Sequence, residues 1–242
     1  TLGNSGLQVS PICLGTATYG VVPAEKDVKG FLDQALDLGV NFLDTANSYG
    51  SQPRFDRPGA PPSTQRPSSE ETIGRALKGR RHDVVIATKV QERTGPGPND
   101  GGLSRKHMVQ QVEESLRRLQ TDYVDIYYAH HPDPMTTMAE TMRAFDDLVR
   151  QGKVRYVALS NYAAWQMTEA LWVCDKLGLS PPICVELPYN LVRREAEQES
   201  IPACLRFGVG VVAYYTFGSG LLAGQASRER DFIGMRRYGR PG

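Results

Sequence analysis

The 242-residue chain has no apolar run approaching the ~18 residues of a membrane-spanning helix, no Cys-x-x-Cys pair, no Gly-x-Gly-x-x-Gly and no excess of either charge. Each absence excludes something. Without a long apolar run, and with a start (TLGNSGLQVS) that lacks the regions of a signal peptide, a soluble, cytoplasmic protein that meets no membrane is expected. Lys and Arg number 28 against 27 Asp and Glu, so no global field recruits nucleic acid, and any anion must be held locally. The four cysteines, Cys13, Cys174, Cys184 and Cys204, are scattered in apolar surroundings. Buried reduced thiols follow, and no metal centre is expected. The missing glycine fingerprint counts against an open dinucleotide-binding sheet.

What the chain does have is alternation. Short runs rich in Val, Ile and Tyr are each followed by a helical pattern that ends in glycine, the mark of parallel βα units. PICLG at 11–15 predicts a strand, and 26–39 a helix with apolar residues at 28, 31, 32, 35, 36 and 38. NFLDTA predicts the second strand, and SSEETIGRALKG a helix opened by Ser69 with Glu70 and Glu71 in its first turn. The strands VVIATKV, YVDIYYAHH, KVRYVALSN, PPICVELPYN and VGVVAYYTF follow, with helices between them, the last running through EAEQESIPACLRFG. Seven strands favour one closed (β/α)8 TIM barrel over residues 1–242, with TLGNSGLQVS as a hairpin plugging its bottom. No eighth βα unit is evident after Phe217, so a C-terminally incomplete barrel is expected. The Pro- and Gly-rich segments 51–67 and 91–103 are long loops at strand C-termini, where a barrel builds its site.

Asp44, Lys89 and His130 close predicted strands two, three and four, and Tyr49 follows the second by one short loop. Each alone has a structural explanation: a loop cap, a snorkelling amine, a satisfied edge residue, a surface aromatic. Parallel strands lie about 4.8 Å apart, so together the four converge on one rim. A phenol becomes a proton donor near neutral pH only beside a cation that stabilises its anion. Lys89, held by Asp44, would supply that cation to Tyr49, while His130 would donate a hydrogen bond to a substrate carbonyl. Such a set suits hydride addition to a carbonyl.

On SGLQVSPICLGTATYG, DTANSYG, EETIGRALKGRR, IATKV, SLRRLQTDYVDIYYAHHPDP, GKVRYVALSN and PYNL, nearly the whole chain resembles the aldo-keto reductase family, of the bacterial type related to potassium-channel β-subunits. The resemblance makes Tyr49 the general acid, Lys89 and Asp44 its tuners and His130 the carbonyl-orienting donor, with His131 a neighbour. It implies NADP(H) as cofactor, NAD(H) not excluded, with Ser160 and Asn161 on the carboxamide and Tyr214 stacked on the nicotinamide. Gly15 and Thr16 complete the implied cofactor contacts.

Glu186 stands where the family commonly has glutamine. Its charge would favour the oxidised, cationic nicotinamide; an ion pair with an arginine such as Arg193 is the structural alternative. The family's Ser-Pro-Leu is replaced by Tyr215-Thr216-Phe217, so Thr216 or Ser219, with Leu221 and Gly224 nearby, would take over pyrophosphate contacts. No segment matches the 2′-phosphate site, and Arg228, Arg230, Arg236, Arg237 and Arg240 read first as a solvated loop. Tyr19, Tyr49, His130, Tyr162 and the 51–67 loop are candidates for a pocket that takes a small carbonyl substrate. A cofactor-sensing binding subunit with little turnover is the main alternative, and a nicotinamide-free isomerase a third. A homo-oligomer is compatible with the sequence, which does not determine association.

Overall fold

Short apolar runs and apolar periodicity at 3.6 residues resolve into seven strands and six helices in a computed structural model that describes residues 1–56 and 58–223. The strands are β1 (Cys13–Gly15), β2 (Phe42–Asp44), β3 (Val85–Val90), β4 (Val124–Ala129), β5 (Val154–Ser160), β6 (Pro182–Pro188) and β7 (Gly210–Tyr214). Between them run α1 (Glu25–Asp37), α2 (Ser69–Ala76), α3 (Arg105–Leu119), α4 (Met138–Arg150), α5 (Ala164–Leu177) and α6 (Ser200–Phe207). All pairings are parallel and the sheet order follows the chain, β1 to β7, which makes a nearly closed barrel of the TIM type. No eighth strand occurs among the described residues.

Both faces of this sheet are covered. β2 and β3 are buried at every position, with one side chain toward the helices and the next toward the barrel axis. Leu43, Ile86, Tyr127 and Leu159 join the helices in the larger core. Phe42, Ala87, Tyr128, Ala158 and Cys184 fill the barrel itself, with Leu2 beneath them. Helix packing is close where α2 meets α3: a Cβ on Gly74 would lie 2.5 Å from the carbonyl oxygen of Arg118. Because that obstacle is backbone, Gly74→Ala is expected to cost about 1–3 kcal/mol, read as an earlier urea midpoint at unchanged slope.

Three elements differ from expectation. The N-terminal hairpin is only a turn, in which Leu2 N–H donates to Leu7 at 3.0 Å, and no strand precedes Cys13 among the described residues. Beyond that one bond its two arms are tied to the barrel floor: Asn4 N–H donates to Gly208, and Ser10 N–H to the side chain of Asn41. Second, Ser68 rather than Ser69 caps α2, in a reciprocal capping box with Glu71. Ser69 is thereby released to donate to Thr16. Third, the helix expected through 195–208 is divided into a 3-10 turn (Glu195–Glu197) and α6. Proline 202 explains the division. It lacks an N–H and is tolerated only in a first turn, so the helix begins at Ser200.

Candidate active site

On most strands the inward column ends in a polar residue, and these ends form one layer. Counting by twos gives Phe42 then Asp44 on β2, Ala87 then Lys89 on β3, Ala158 then Ser160 on β5, Cys184 then Glu186 on β6. The register sets them side by side, with Asp44 opposite Ala87, Lys89 opposite Tyr128 and Ser160 opposite Glu186. Just past β4, His130 continues the column of Ile126 and Tyr128, and its N–H donates to Val90 at 2.9 Å. A cavity of about 340 Å³ opens over this layer. Apolar residues end where the barrel ends, and solvent access begins.

Lys89 is the centre of the layer. Fully buried, it donates to Asp44 and, at 3.0 Å, to the carbonyl of Thr45. Glu186 Oε2 lies 3.3 Å from the same ammonium, so the anticipated partner Arg193 is replaced by Lys89; Arg193 instead faces Glu195 at 3.8 Å. Burial opposes the charge on Lys89, but Asp44, Glu186 and Tyr49 outweigh it and hold its pKa well above the ordinary range. Asp44 is displaced upward by burial, against the pull of Lys89. Burial and then the charge of Asp44 push Glu186 up to about 7. One ammonium cannot fully compensate two buried carboxylates.

Tyr49 stands over this cluster. Its ring centre is 5.1 Å from the Lys89 ammonium and 5.7 Å, edge-on, from the His130 ring. Asn161, at φ +63, knits the neighbouring strand ends: its amide donates to the carbonyl of His130 and to Ser160, both at 3.0 Å, and accepts from the Tyr214 hydroxyl at 2.6 Å. Short polar side chains tolerate that left-handed backbone. Thr16, fully buried, donates N–H and hydroxyl to the carbonyl of Asp44, both at 2.9 Å.

Gly15, Thr16, Asp44, Tyr49, His130, Ser160, Asn161, Glu186, Tyr214, Tyr215 and Thr216 all line the cavity. Phe217 and Leu221 do not; they are 65% and 50% exposed. Ser219 and Leu221 both belong to the turn Gly218–Ala223. Gly224 and the five arginines from 228 to 240 lie outside the described residues. Tyr19 and Tyr162 are core residues rather than pocket residues, 2% and 4% exposed. From the 51–67 loop, Phe55 reaches the cavity. Arg66 clamps that loop by donating to the carbonyls of Gly50, Gln52 and Pro61 and pairing with Asp56 at 2.7 Å.

Glu92 also lines the cavity and did not stand out in the sequence; Cys13, expected among the buried reduced thiols, is a free thiol but only half-buried, at the cavity wall, whereas Cys174, Cys184 and Cys204 are buried. Glu92 follows Gln91, which sits at φ +142; only its place two residues past β3 hinted at a role.

A nicotinamide fits these residues at one end. Glu186 Oε2 is buried at the cavity wall and, despite its 3.3 Å approach to Lys89, accepts no hydrogen bond among the described residues. A carboxamide NH2 is a matching donor. Ser160, Glu186 and Tyr214 would hold that end.

Fold and site thus define a parallel α/β barrel with an acid–base cluster at the C-terminal rim of its strands. The chain belongs to the aldo/keto reductase family, a family of oxidoreductases whose model matches residues 11–238. It is 40% identical over 93% of its length to "Uncharacterized oxidoreductase YrpG" of Bacillus subtilis, covering 68% of that protein. It is 38% identical over 94% of its length to a "Probable voltage-gated potassium channel subunit beta" of Arabidopsis thaliana, covering 66%. A "Putative voltage-gated potassium channel subunit beta" of Schizosaccharomyces pombe is 36% identical over 93%, with 63% covered. The chain therefore spans about two thirds of the length of these relatives. No helix of the described residues is long and apolar enough to cross a membrane.

Proposed function

We propose that the protein reduces the carbonyl of an aldehyde, ketone or keto sugar to an alcohol, with Tyr49 as general acid and NADPH as cofactor, NADH being the alternative. The observation that carries this reading is the buried Lys89 ammonium held beside both Asp44 and the Tyr49 ring. The nicotinamide, when bound, supplies the hydride to the carbonyl carbon. As the carbonyl oxygen gains negative charge, Tyr49 gives it the phenolic proton, and the phenolate left behind is stabilised by Lys89. Asp44 and the Thr45 carbonyl keep the ammonium in place. His130, anchored through its backbone by Val90 and Asn161, donates to the same oxygen and orients it. Solvent entering the cavity returns the proton to Tyr49.

A second reading, a cofactor-binding subunit with little turnover, is favoured by the likeness to proteins named as potassium-channel β-subunits. Titration with NADPH and NADH followed by a panel of aldehydes and keto sugars separates the two. Nucleotide binding with steady turnover is the expected result, and binding without turnover on any carbonyl supports the subunit. Trp165 and Trp172 sit exposed on α5, so cofactor fluorescence is the appropriate reporter rather than tryptophan quenching.

A further inference from the structure

We propose that Glu92, His130 and His131 form a site for one first-row transition-metal ion, zinc above all, at the rim of the barrel, and that the bound ion shuts the carbonyl site off. One carboxylate oxygen of Glu92 and one ring nitrogen from each histidine lie within 4.8 Å of one another. Glu92 Oε1 is 4.0 Å from His130 Nδ1, and the two imidazoles are stacked with centres 4.8 Å apart. In tetrahedral zinc, bonds of about 2.0–2.2 Å place ligand atoms roughly 3.4 Å from each other. Binding one ion would draw the three ligand atoms together from within 4.8 Å to roughly 3.4 Å.

The surroundings are arranged for it. Adjacent strands β3 and β4 deliver the ligands, and the His130 backbone is held by Val90 and Asn161. Gln52 donates to Glu92 Oε2 at 2.8 Å, a second contact of the kind that orients a ligating carboxylate and turns Oε1 toward His130. Two imidazoles and a carboxylate, with the fourth position open to the cavity, are the donor set of open zinc sites. Magnesium and calcium prefer all-oxygen sites and fit this one poorly. An ion bound here engages the His130 ring and stands beside Tyr49, where the carbonyl oxygen would lie. The shut-off rests on the proposed carbonyl reaction; the binding itself does not.

Equilibrium dialysis of the nucleotide-free chain with Zn²⁺, and visible absorption with Co²⁺, test the site. One ion per chain is expected, with affinity lowered about tenfold or more in His131→Asn and in Glu92→Gln. His82→Asn, at an exposed histidine, serves as the control and is expected to bind as the parent does. Folding of each variant is checked by circular dichroism. No stoichiometric binding, or parental affinity in both site variants, overturns the site. In turnover assays Zn²⁺ is expected to inhibit, EDTA to restore activity, and His131→Asn to blunt the inhibition; undiminished inhibition in that variant overturns the shut-off. Metal binding in a chain that turns over no carbonyl refutes the proposed reaction and leaves the site standing.

Discussion

Tyr49→Phe is expected to lower carbonyl turnover by about 10²–10⁴-fold while NADPH binds as before. The substitution removes one oxygen. The ring keeps its edge-on contact with His130 and its place above the Lys89 ammonium, so neither packing nor the cofactor end of the cavity is altered. What is lost is the proton that neutralises the developing alkoxide, an interaction made only in the transition state, so kcat and kcat/KM should fall together. Lys89→Met cannot serve as the cleaner test. It would leave Asp44 and Glu186 buried without their cation, a change that typically destabilises by about 3–5 kcal/mol. Single-turnover rates with the parent and Tyr49→Phe proteins, alongside NADPH titrations, check the prediction. A variant that retains more than about a tenth of the parental rate assigns the proton to another group.

Glu186→Gln is expected to stabilise the nucleotide-free protein above pH 7 and to leave it nearly unchanged below pH 4.5, the interval between its ordinary pKa and its value of about 7 in the fold. The sign follows from proton counts. Between those values the folded state holds more protons than the unfolded state, so Glu186 makes stability fall as pH rises. Above about 7 the penalty is complete, on the order of 3 kcal/mol, because raising a pKa tenfold in proton affinity is worth about 1.4 kcal/mol. Glutamine carries no such penalty, and Asp44 remains to pair with Lys89. Urea midpoints of both proteins from pH 5 to pH 9 should therefore diverge with rising pH; parallel curves across that range would show that Glu186 is not held protonated by its surroundings. The same charge sits where the carboxamide would dock, so the affinity ratio of oxidised to reduced cofactor should fall in the variant. An unchanged ratio would mean that Lys89 already cancels Glu186 as seen from the ring.

Much of the barrel was legible because its strands are buried on both faces and its helices are amphipathic, patterns that survive in one dimension. Parity is visible once the strands are known: Asp44, Lys89, His130, Ser160 and Glu186 each lie two residues past an inward neighbour in the barrel. Local rules went wrong where a longer-range partner competed. Ser69 resembles a cap as well as Ser68 does, and only the position of Thr16 decides between them. Tyr19 and Tyr162 carry polar tips that suggest a pocket, yet their rings are consumed by the core between strands and helices.

The repeat of strand and helix, the family, and the convergence of Tyr49, Asp44, Lys89 and His130 on one rim were all legible in the sequence, because they reside in local periodicity and in motifs a few residues long. Tertiary structure alone decided that Glu186 shares the Lys89 ammonium with Asp44, that Arg66 clamps the 51–67 loop, and that Glu92 comes up against two histidines. Those pairings join residues separated by up to 142 positions, as Asp44 and Glu186 are (186 minus 44). Their energies depend on burial and on distances of a few ångströms, which exist only once the strands have been laid side by side.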